Sequence, residues 1–253
     1  MTKLRWLWFA SGSPRFLNGA TPDLRSVSDF AFLPLIEMSP WQVALVACYD
    51  TAMIVIIDYG MGNLRSVQKA IEAVGHRAEI SGDPDRVRAA SKVILPGVGA
   101  FADAIAELRR TGLGDAFVEA VEAGKPCLGV CLGLQLLFDV SEEDGLHEGL
   151  GLLRGRVVRF APRPGLKVPH MGWNTLRITR PVPLLDGIDD DASVYFVHSY
   201  HAEAADPTNV AAEADYPDPF PAVVWKDNLM AAQFHPEKSQ RVGLAMYANF
   251  ATI

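Results

Sequence analysis

Cysteine is scarce in this sequence, with three residues in a chain of 253. An odd and low number argues against a secreted disulfide scaffold and favours a reducing, cytoplasmic compartment. Basic residues are outnumbered by acidic ones, 23 against 30, and form no run, so we expect no nucleic-acid partner. No apolar run reaches the about 20 residues of a membrane-spanning helix, so we expect no membrane contact. No second Cys pair or His pair has zinc-ligand spacing, and we expect no metal and no cofactor.

The first 52 residues lack the periodicity of the remainder. Ser, Pro and Gly are scattered through them, and no helical or strand period is sustained. A short apolar patch resembles a signal peptide only faintly, because Arg5 interrupts it. Residues 1–52 are therefore predicted to be a poorly ordered extension, or upstream sequence translated ahead of a natural start at Met53. A targeting or docking role is the alternative.

From Met53 onward, short apolar runs alternate with helical patterns. Buried strands are predicted at "MIVIID" (53–58) and "KVILPG" (92–97), and further short strands at "HRAEI" (76–80) and "KPCLGV" (125–130). Helices are predicted at "LRSVQKAIEAVG" (64–75), "SGDPDRVRAA" (81–90), "AFADAIAELRRTG" (100–112) and "LGDAFVEAVEAG" (113–124). This alternation predicts an α/β fold with a doubly wound, mostly parallel sheet and helices on both faces.

The second half is richer in strand-like runs, which prolines and acidic turns separate. No Ser/Gly linker divides the two halves, so residues 53–253 are predicted to form one domain. In doubly wound sheets the functional site lies at the carboxyl ends of the strands. The loops after Asp58, Leu95 and Val130 are therefore expected at the same edge of the sheet.

The stretch "GVCLG" (129–133) has the form Gly-x-nucleophile-x-Gly at a change from strand to helix. Such a turn is so tight that the residues beside the nucleophile must be small, and Gly129 and Gly133 meet that requirement. Cys131 would lie at a helix N-terminus, where the dipole favours a thiolate. Cys127 lies inside the strand and is interpreted as a core residue. Two ordinary buried cysteines are the alternative.

A cysteine nucleophile needs a base and an orienting group. In "MAAQFHPEKSQ" (230–240) a strand ends at His235, and Glu237 follows two residues later. Glu237 can hydrogen-bond one imidazole nitrogen while the other faces the thiol. The loop "ILPGVGAF" (94–101) closes another strand with two glycines, which can turn a backbone N–H toward a substrate carbonyl.

The order of "PGVG", "GVCLGLQ" and "FHPE" resembles the class I (triad) glutamine amidotransferases over about the last four-fifths of the chain. The further stretches "DYGMGN", "VPHMGWN" and "YFVHSY" are similar to the family branch formed by glutaminase subunits of imidazole glycerol phosphate synthase, in histidine biosynthesis. The resemblance implies a flavodoxin-like fold and hydrolysis of glutamine to glutamate and ammonia. It also implies a separate (β/α)₈-barrel synthase as heterodimer partner, which receives the ammonia.

The resemblance assigns roles to individual residues. The catalytic triad would be Cys131, His235 and Glu237, with the oxyanion held by N–H groups at Leu132 and at Val98 or Gly99. Glutamine contacts are implied at Gly97, Gln135, Glu143, Ser199 and Tyr200, although Glu143 in "SEED" is also consistent with a solvated acid. Partner contacts are expected at Asn63, Met171, Trp173, Tyr195 and Lys238, although Trp173 and Tyr195 could equally be core. The "HSYH" at His201 departs from the family pattern, and no role is assigned to it.

Three alternatives remain open at this point. Another triad amidotransferase would share the elbow and the triad but serve a different acceptor. A scaffold that kept the fold without catalysis is disfavoured because all three triad residues are present. A cysteine hydrolase acting on peptides or other small molecules could use a similar elbow.

Overall fold

The computed structural model describes residues 53–253, so the predicted extension at residues 1–52 lies outside the described residues. Within 53–253 no helix is long and apolar enough to cross a membrane. The strands are β1 Ile54–Ile57, β2 Ala78–Ser81, β3 Lys92–Gly97, β4 Cys127–Cys131, β5 Phe138–Ser141, β6 His147–Glu148, β7 Leu153–Arg159, β8 His170–Thr175, β9 Arg177–Ile178, β10 Ser193–His198, β11 Tyr200–Ala204, β12 Val210–Asp215, β13 Pro219–Lys226 and β14 Leu229–Ala232. The α-helices are α1 Leu64–Ala73, α2 Pro84–Ala89, α3 Phe101–Thr111, α4 Leu113–Glu122, α5 Leu132–Gln135 and α6 Gln240–Thr252.

The main sheet has eight strands in the order β2-β1-β3-β4-β14-β13-β12-β9. The first five are parallel to their neighbours, and the last three pair antiparallel. The parallel part, taken in chain order, has the 2-1-3-4-5 arrangement of flavodoxin-like folds. The predicted fold class, a doubly wound and mostly parallel sheet with a β-rich second half, is confirmed.

Both faces of this sheet are buried. In β1, Ile54 and Ile56 join one hydrophobic cluster with α1 and α6, while Val55 and Ile57 join a second cluster with α3 and α4. Because β1 is covered on both faces, its sequence is a continuous apolar run rather than an alternating one. Helix α1 buries only Val67, Ala70 and Ile71, which is the narrow apolar stripe that its 3.6-residue period produces.

Two smaller sheets are built from the chain between β4 and β14. Strands β8 and β10 form an antiparallel pair, and β11, β7, β5 and β6 form a four-stranded sheet in that order. Strand β8, the "HMGWNT" segment, was not predicted as a strand. Its residues alternate in exposure along the strand, starting from the buried His170, as expected for a strand with one face in solvent.

Candidate active site

Three adjacent parallel strands bring the predicted catalytic segments to one edge of the main sheet. Strand β4 lies between β3 and β14, and all three run in the same direction. Gly97 at the end of β3 pairs directly with Cys131 at the end of β4. The chain leaving β14 reaches His235 three residues later. The strand order therefore places the glycine loop on one side of Cys131 and the His-Pro-Glu segment on the other.

The backbone at Cys131 has the strained geometry of a nucleophile elbow. Its φ of 56° and ψ of −111° lie outside the regions that L-residues ordinarily occupy. A Cβ on Gly133 would lie 1.9 Å from the Leu95 carbonyl oxygen, and one on Gly129 would lie 2.8 Å from the Gly133 oxygen. No side chain fits at either position, so both glycines of the motif are required by close backbone contact.

The helix after the elbow is shorter than the sequence pattern indicated. Helix α5 is a single turn, Leu132–Gln135, and the chain enters β5 at Phe138. The N–H groups of Leu152 and Leu153 both donate to the Leu137 carbonyl, which fixes the chain in an extended path there. A one-turn helix has few aligned peptide dipoles. The contribution of this helix to the positive potential beside the thiol therefore comes mainly from its free N–H groups, of which Leu132 is the first.

The two neighbouring cysteines lie in different environments. Cys127 is completely buried at the start of β4, and burial raises the pKa of its thiol to about 12, against a smaller lowering by Lys125. Cys127 is therefore a neutral thiol at physiological pH and a poor nucleophile. Cys131 lies at the strand end, close to His235. The interpretation of Cys127 as a core residue agrees with this placement.

If the chain has the glutaminase activity that the family resemblance implies, we expect Cys127→Ala to retain it within about twofold of wild type, because the neutral, buried Cys127 thiol lies outside the elbow. The cost should be one of packing, about 1–2 kcal/mol of unfolding free energy for a small buried side chain. Steady-state glutaminase kinetics and urea unfolding would measure the two effects separately. Abolished turnover in a folded Cys127→Ala protein would instead assign the nucleophile to the wrong cysteine.

His235 and Glu237 form a buried hydrogen-bonded pair. The Glu237 Oε1 atom lies 2.8 Å from His235 Nδ1, and both side chains are almost fully excluded from solvent. Burial of the ring lowers the pKa of His235, but the Cys131 and Glu237 side chains raise it more, to about 10. At neutral pH the ring is therefore an imidazolium with its Nδ1 proton directed at Glu237. The other ring nitrogen, Nε2, is buried and free to serve the thiol side.

Two further side chains surround the Glu237 carboxylate. Asn63 Nδ2, at the start of α1, donates to Glu237 Oε1 over 3.4 Å. The Tyr247 hydroxyl on α6 is fully buried, and burial together with the nearby Glu237 charge raises the pKa of this phenol. Asn63 was expected at the partner surface, and Tyr247 was not predicted as a site residue. The contact of Tyr247 depends on how α6 packs, which no local motif indicates.

The glycine loop after β3, residues 97–99, is packed against Tyr59 at its first residue. Gly97 is buried, whereas Val98 and Gly99 are exposed, and Gly99 has a φ of 98° that favours glycine. The Tyr59 hydroxyl donates to the Pro96 carbonyl over 2.8 Å and lies where a Gly97 side chain would be. Tyr59 belongs to the "DYGMGN" stretch, yet the sequence assigned it no role.

Glu143 is attached to the same loop region. Its Oε2 atom accepts a 2.7 Å hydrogen bond from the Phe101 N–H, the first residue of α3. Partial burial raises the pKa of the Glu143 carboxyl, and the Phe101 N–H only partly offsets this. The alternative of a freely solvated acid is therefore wrong. This hydrogen bond places Glu143 at the start of α3, next to the glycine loop, and its predicted contact with glutamine stays a prediction.

The remaining predicted glutamine contacts lie around the Tyr200 carbonyl. Gln135 on α5 donates through Nε2 to the Tyr200 oxygen at 2.9 Å and to Gln233 Oε1 at 3.1 Å. Gln233 Nε2 in turn lies 4.0 Å from Cys131 Sγ. Ser199 joins the adjoining turn, where its carbonyl accepts from the Phe160 N–H. Gln233 was missed at the sequence level, because a glutamine next to a strand end carries no motif of its own.

An exposed surface adjoins the triad, and we call it the β8–β10 face: Met171, Trp173, Tyr195 and Lys238. Met171 is 63% exposed and Trp173 is 50% exposed, so the interpretation of Trp173 as core is wrong. Trp173 and Tyr195 are cross-strand partners with ring centroids 6.0 Å apart, and Lys238 Nζ lies 5.8 Å from the Tyr195 ring. The Tyr195 carbonyl accepts from the His235 N–H, which connects this face to the triad backbone.

A separate surface cavity of about 380 Å³ contains none of the triad residues. It is lined by β7, β11 and the β12–β13 turn, including Arg159, His201 and Tyr216. His201 stacks on Phe160 at a centroid distance of 4.6 Å, so an aromatic ring packs well at this position. Among residues 53–253, no three His, Cys, Asp or Glu side chains converge in a way that could hold a metal ion.

Comparison with known proteins places this geometry in a family. Residues 55–252 match the family described as "Glutamine amidotransferase class-I". Three relatives are named imidazole glycerol phosphate synthase subunit HisH. The protein from Syntrophotalea carbinolica is 56% identical over 78% of this chain and 98% of its own length. Those from Desulfitobacterium hafniense DCB-2 and Geobacillus thermodenitrificans are 53% and 52% identical, over 78% and 79% of this chain and 93% and 96% of their own lengths.

Solved structures agree on the fold. PurLQS from Thermotoga maritima superposes with a TM-score of 0.65 at 19% identity, over 80% of this chain and 98% of that one. A structure described as a glutamine amidotransferase gives a TM-score of 0.63 at 20% identity, over 79% of this chain and 99% of that one. The elbow, the sheet order and these matches agree. The chain therefore belongs to the class-I glutamine amidotransferase family, within the branch of the imidazole glycerol phosphate synthase HisH subunits.

Proposed function

We propose that this chain hydrolyses glutamine through a Cys131–His235–Glu237 triad and supplies the ammonia to a separate (β/α)₈-barrel subunit. The complex would be a lyase-class imidazole glycerol phosphate synthase of histidine biosynthesis. The observation that carries the proposal is the elbow cysteine beside a buried His–Glu pair, in a chain whose relatives bear the HisH name. The likeness to HisH proteins also favours this acceptor over that of another triad amidotransferase.

In the proposed reaction, the Cys131 thiolate attacks the side-chain amide carbon of glutamine. The carbonyl π electrons move to oxygen, and the C–N bond of the tetrahedral intermediate then breaks. His235 donates its proton to the departing nitrogen, so that ammonia leaves and a glutamyl thioester remains. His235 next takes a proton from water, whose oxygen attacks the thioester carbon; the C–S bond of this second tetrahedral intermediate then breaks, which returns the Cys131 thiolate and releases glutamate. Glu237 holds the ring in the tautomer that directs Nε2 to the thiol side.

Stabilisation of the oxyanion is proposed for the Leu132 N–H and for an N–H from Val98 or Gly99. The register of Gly97 opposite Cys131 supports this arrangement, because it places the glycine loop beside the thiol. Glutamine would lie against Gly97, Gln135, Glu143 and the Ser199–Tyr200 backbone. Support comes from the hydrogen bonds that join Glu143 to the loop region and Gln135 to the Tyr200 carbonyl.

The partner is proposed to cover the β8–β10 face together with Asn63. Ammonia in water at neutral pH is mostly ammonium, which is not a nucleophile, so direct transfer from a covered site would preserve its reactivity. An exposed Trp–Tyr pair beside a lysine has the composition of an interface anchor. The Tyr195 carbonyl is hydrogen-bonded to the His235 N–H, and the Asn63 side chain is hydrogen-bonded to Glu237. A partner bound at Tyr195 and Asn63 would therefore be one residue away from the triad.

We expect Trp173→Ala to weaken binding of the cognate barrel subunit by about tenfold to thirtyfold, because truncated aromatic anchors commonly cost about 2 kcal/mol. Isothermal titration calorimetry measures the change directly. Ile253→Ala is a suitable control, since it removes another partly exposed apolar side chain outside the β8–β10 face. Equal affinities for the two variants would place the partner on a different surface.

A glutaminase assay with and without the cognate barrel subunit tests the proposal as a whole. Glutamate should form in the complex, and imidazole glycerol phosphate should form from glutamine only when both subunits are present. A glutamine-mimicking electrophile should label Cys131, with protection by glutamine. Labelling without such protection would favour a cysteine hydrolase of a different class, and failure to support a histidine auxotroph lacking this subunit would favour another acceptor.

The domain limits and the compartment belong to the same proposal. We propose that residues 53–253 form the amidotransferase domain, supported by the family match over residues 55–252. A reducing, cytoplasmic location is proposed because the reaction needs a free thiol at Cys131, and Cys127 and Cys131 are unpaired in the structure.

A further inference from the structure

A chain of buried and partly buried hydrogen bonds runs from strand β8 to the thiol site. Asn174 Nδ2 lies 3.3 Å from His170 Nε2, and His170 Nδ1 lies 3.0 Å from His198 Nε2. His198 Nδ1 lies 2.8 Å from the Tyr200 carbonyl oxygen, which also accepts from Gln135. We call Asn174, His170 and His198 the histidine relay. None of the three is required by the proposed chemistry.

The direction of every bond in the histidine relay follows from its carbonyl end. A carbonyl oxygen can only accept, so His198 must carry its proton on Nδ1. Its Nε2 is then an acceptor, which requires a proton on His170 Nδ1. The Nε2 of His170 is therefore also an acceptor, and the amide group of Asn174 supplies the matching donor. Both histidines are consequently neutral Nδ1–H tautomers.

The surroundings of the two rings support the neutral form. His170 is stacked between Tyr216 and Phe196, at centroid distances of 3.9 and 4.8 Å. Burial lowers the pKa of His170 to about 4 and that of His198 to about 3. Asn174 is itself oriented, because its Nδ2 also donates to the Asp215 carbonyl and its Oδ1 accepts from the Thr175 N–H.

Beyond the Tyr200 carbonyl the same directionality continues to the thiol. Both N–H bonds of the Gln135 amide are used, one on Tyr200 O and one on Gln233 Oε1. With its oxygen occupied, Gln233 presents its amide N–H groups to Cys131 Sγ, 4.0 Å away. A donor facing sulfur stabilises a thiolate.

We infer that His170 and His198 are positioning residues that fix the Tyr200 carbonyl, and through it Gln135 and Gln233, in the orientation that presents a donor to Cys131. The histidine relay begins on β8, the strand that carries Met171 and Trp173, so a partner bound at the β8–β10 face would contact the same strand from its other face. The kinetic tests of this inference rest on the proposed function, whereas the tautomers of His170 and His198 can be measured whether or not the protein hydrolyses glutamine.

The first test is a two-bond ¹H–¹⁵N correlation spectrum of the full chain labelled at histidine. Both His170 and His198 should show the Nδ1–H pattern at pH 7, with assignment by single His→Asn variants. An Nε2–H or imidazolium pattern at either residue would overturn the histidine relay. This outcome is independent of glutamine turnover, so an inactive wild-type protein would count against the proposed function alone.

The second test compares His198→Phe with His198→Asn. Phenylalanine keeps the aromatic packing and removes the donor, whereas asparagine loses volume and keeps an N–H near the Nδ1 position. A positioning role predicts kcat/KM for glutamine about fivefold to tenfold lower for His198→Phe and within about twofold for His198→Asn. A merely structural role predicts the reverse order, and that order would overturn the inference.

Asn174→Asp provides a variant with almost unchanged shape should His198→Phe fail to fold. An aspartate cannot donate to His170 Nε2, so the histidine relay would reverse and place a lone pair of His198 Nδ1 against the Tyr200 oxygen. The Nδ1–H signals should shift to Nε2–H, and kcat/KM should fall about fivefold. Asn209→Asp, on another loop of the chain, adds the same charge as a control. Wild-type kcat/KM in Asn174→Asp would overturn the inference.

Discussion

Cys131→Ala should abolish glutamine-dependent synthesis by the complex while ammonia-dependent synthesis continues at the wild-type rate. The first step of the proposed reaction forms a C–S bond, and alanine offers no nucleophile. Loss of a triad nucleophile lowers kcat by about four to six orders of magnitude. Ammonia supplied from solution bypasses this step, because in the proposed complex the acceptor chemistry belongs to the barrel subunit. Parallel assays with glutamine and with an ammonium salt at high pH measure both rates on one preparation.

The contrast between the two nitrogen sources separates chemistry from folding. A misfolded subunit would lose its partner, whereas a folded Cys131→Ala subunit should bind the barrel with wild-type affinity. The Cys131 side chain is small and buried at a strand end, so its replacement by alanine removes one sulfur atom and little else. Retained glutamine turnover in this variant would exclude Cys131 as the nucleophile, and with it the entire triad.

Gly133→Ala should be among the most destabilising glycine-to-alanine substitutions in residues 53–253. A Cβ at this position would lie 1.9 Å from the Leu95 carbonyl oxygen. That oxygen belongs to β3, a central strand of the sheet that cannot move away to relieve the contact. Overpacking against backbone costs about 3 kcal/mol or more. Any relaxation must move α5 away from β3, which would disturb the elbow at Cys131 and its position beside the glycine loop. Urea unfolding and electrophile labelling of Cys131 should both show the loss.

Gly114→Ala is the matched control for this prediction. Gly114 is also buried and non-strained, but the closest atoms to its added Cβ lie at 3.5 Å, an ordinary contact. It lies in α4, where alanine is the better helix former, so its unfolding free energy should stay within about 1 kcal/mol of wild type. Equal stabilities of the two variants would mean that the elbow tolerates a side chain at its second glycine.

The elbow, the sheet and the His–Glu pair were predictable because each is encoded locally. Two glycines at fixed spacing around Cys131, a strand before it and a carboxylate two residues beyond His235 are all visible in a short window. Glu143 was placed only through family resemblance, since "SEED" carries no local sign of its contact with Phe101. Tyr59, Gln233 and Tyr247 were missed because their importance depends on neighbours 37 to 102 positions away or on helix packing. Strand β8 was missed because exposure on one face leaves it few apolar residues.

The strand order has a consequence for how such a protein can change over evolutionary time. Cys131, the glycine loop and His235 all leave adjacent strands of the main sheet, yet the chain makes a long excursion between β4 and β14. That excursion carries Met171, Trp173 and Tyr195 of the β8–β10 face and the Tyr200 carbonyl, while Cys131, His235 and Lys238 lie outside it. Most of the surface proposed for the partner is thus encoded in a different segment from the reactive groups. A change of acceptor in the proposed complex would require substitutions mainly in the excursion, and these would have to preserve the Tyr200 carbonyl that connects it to the thiol site.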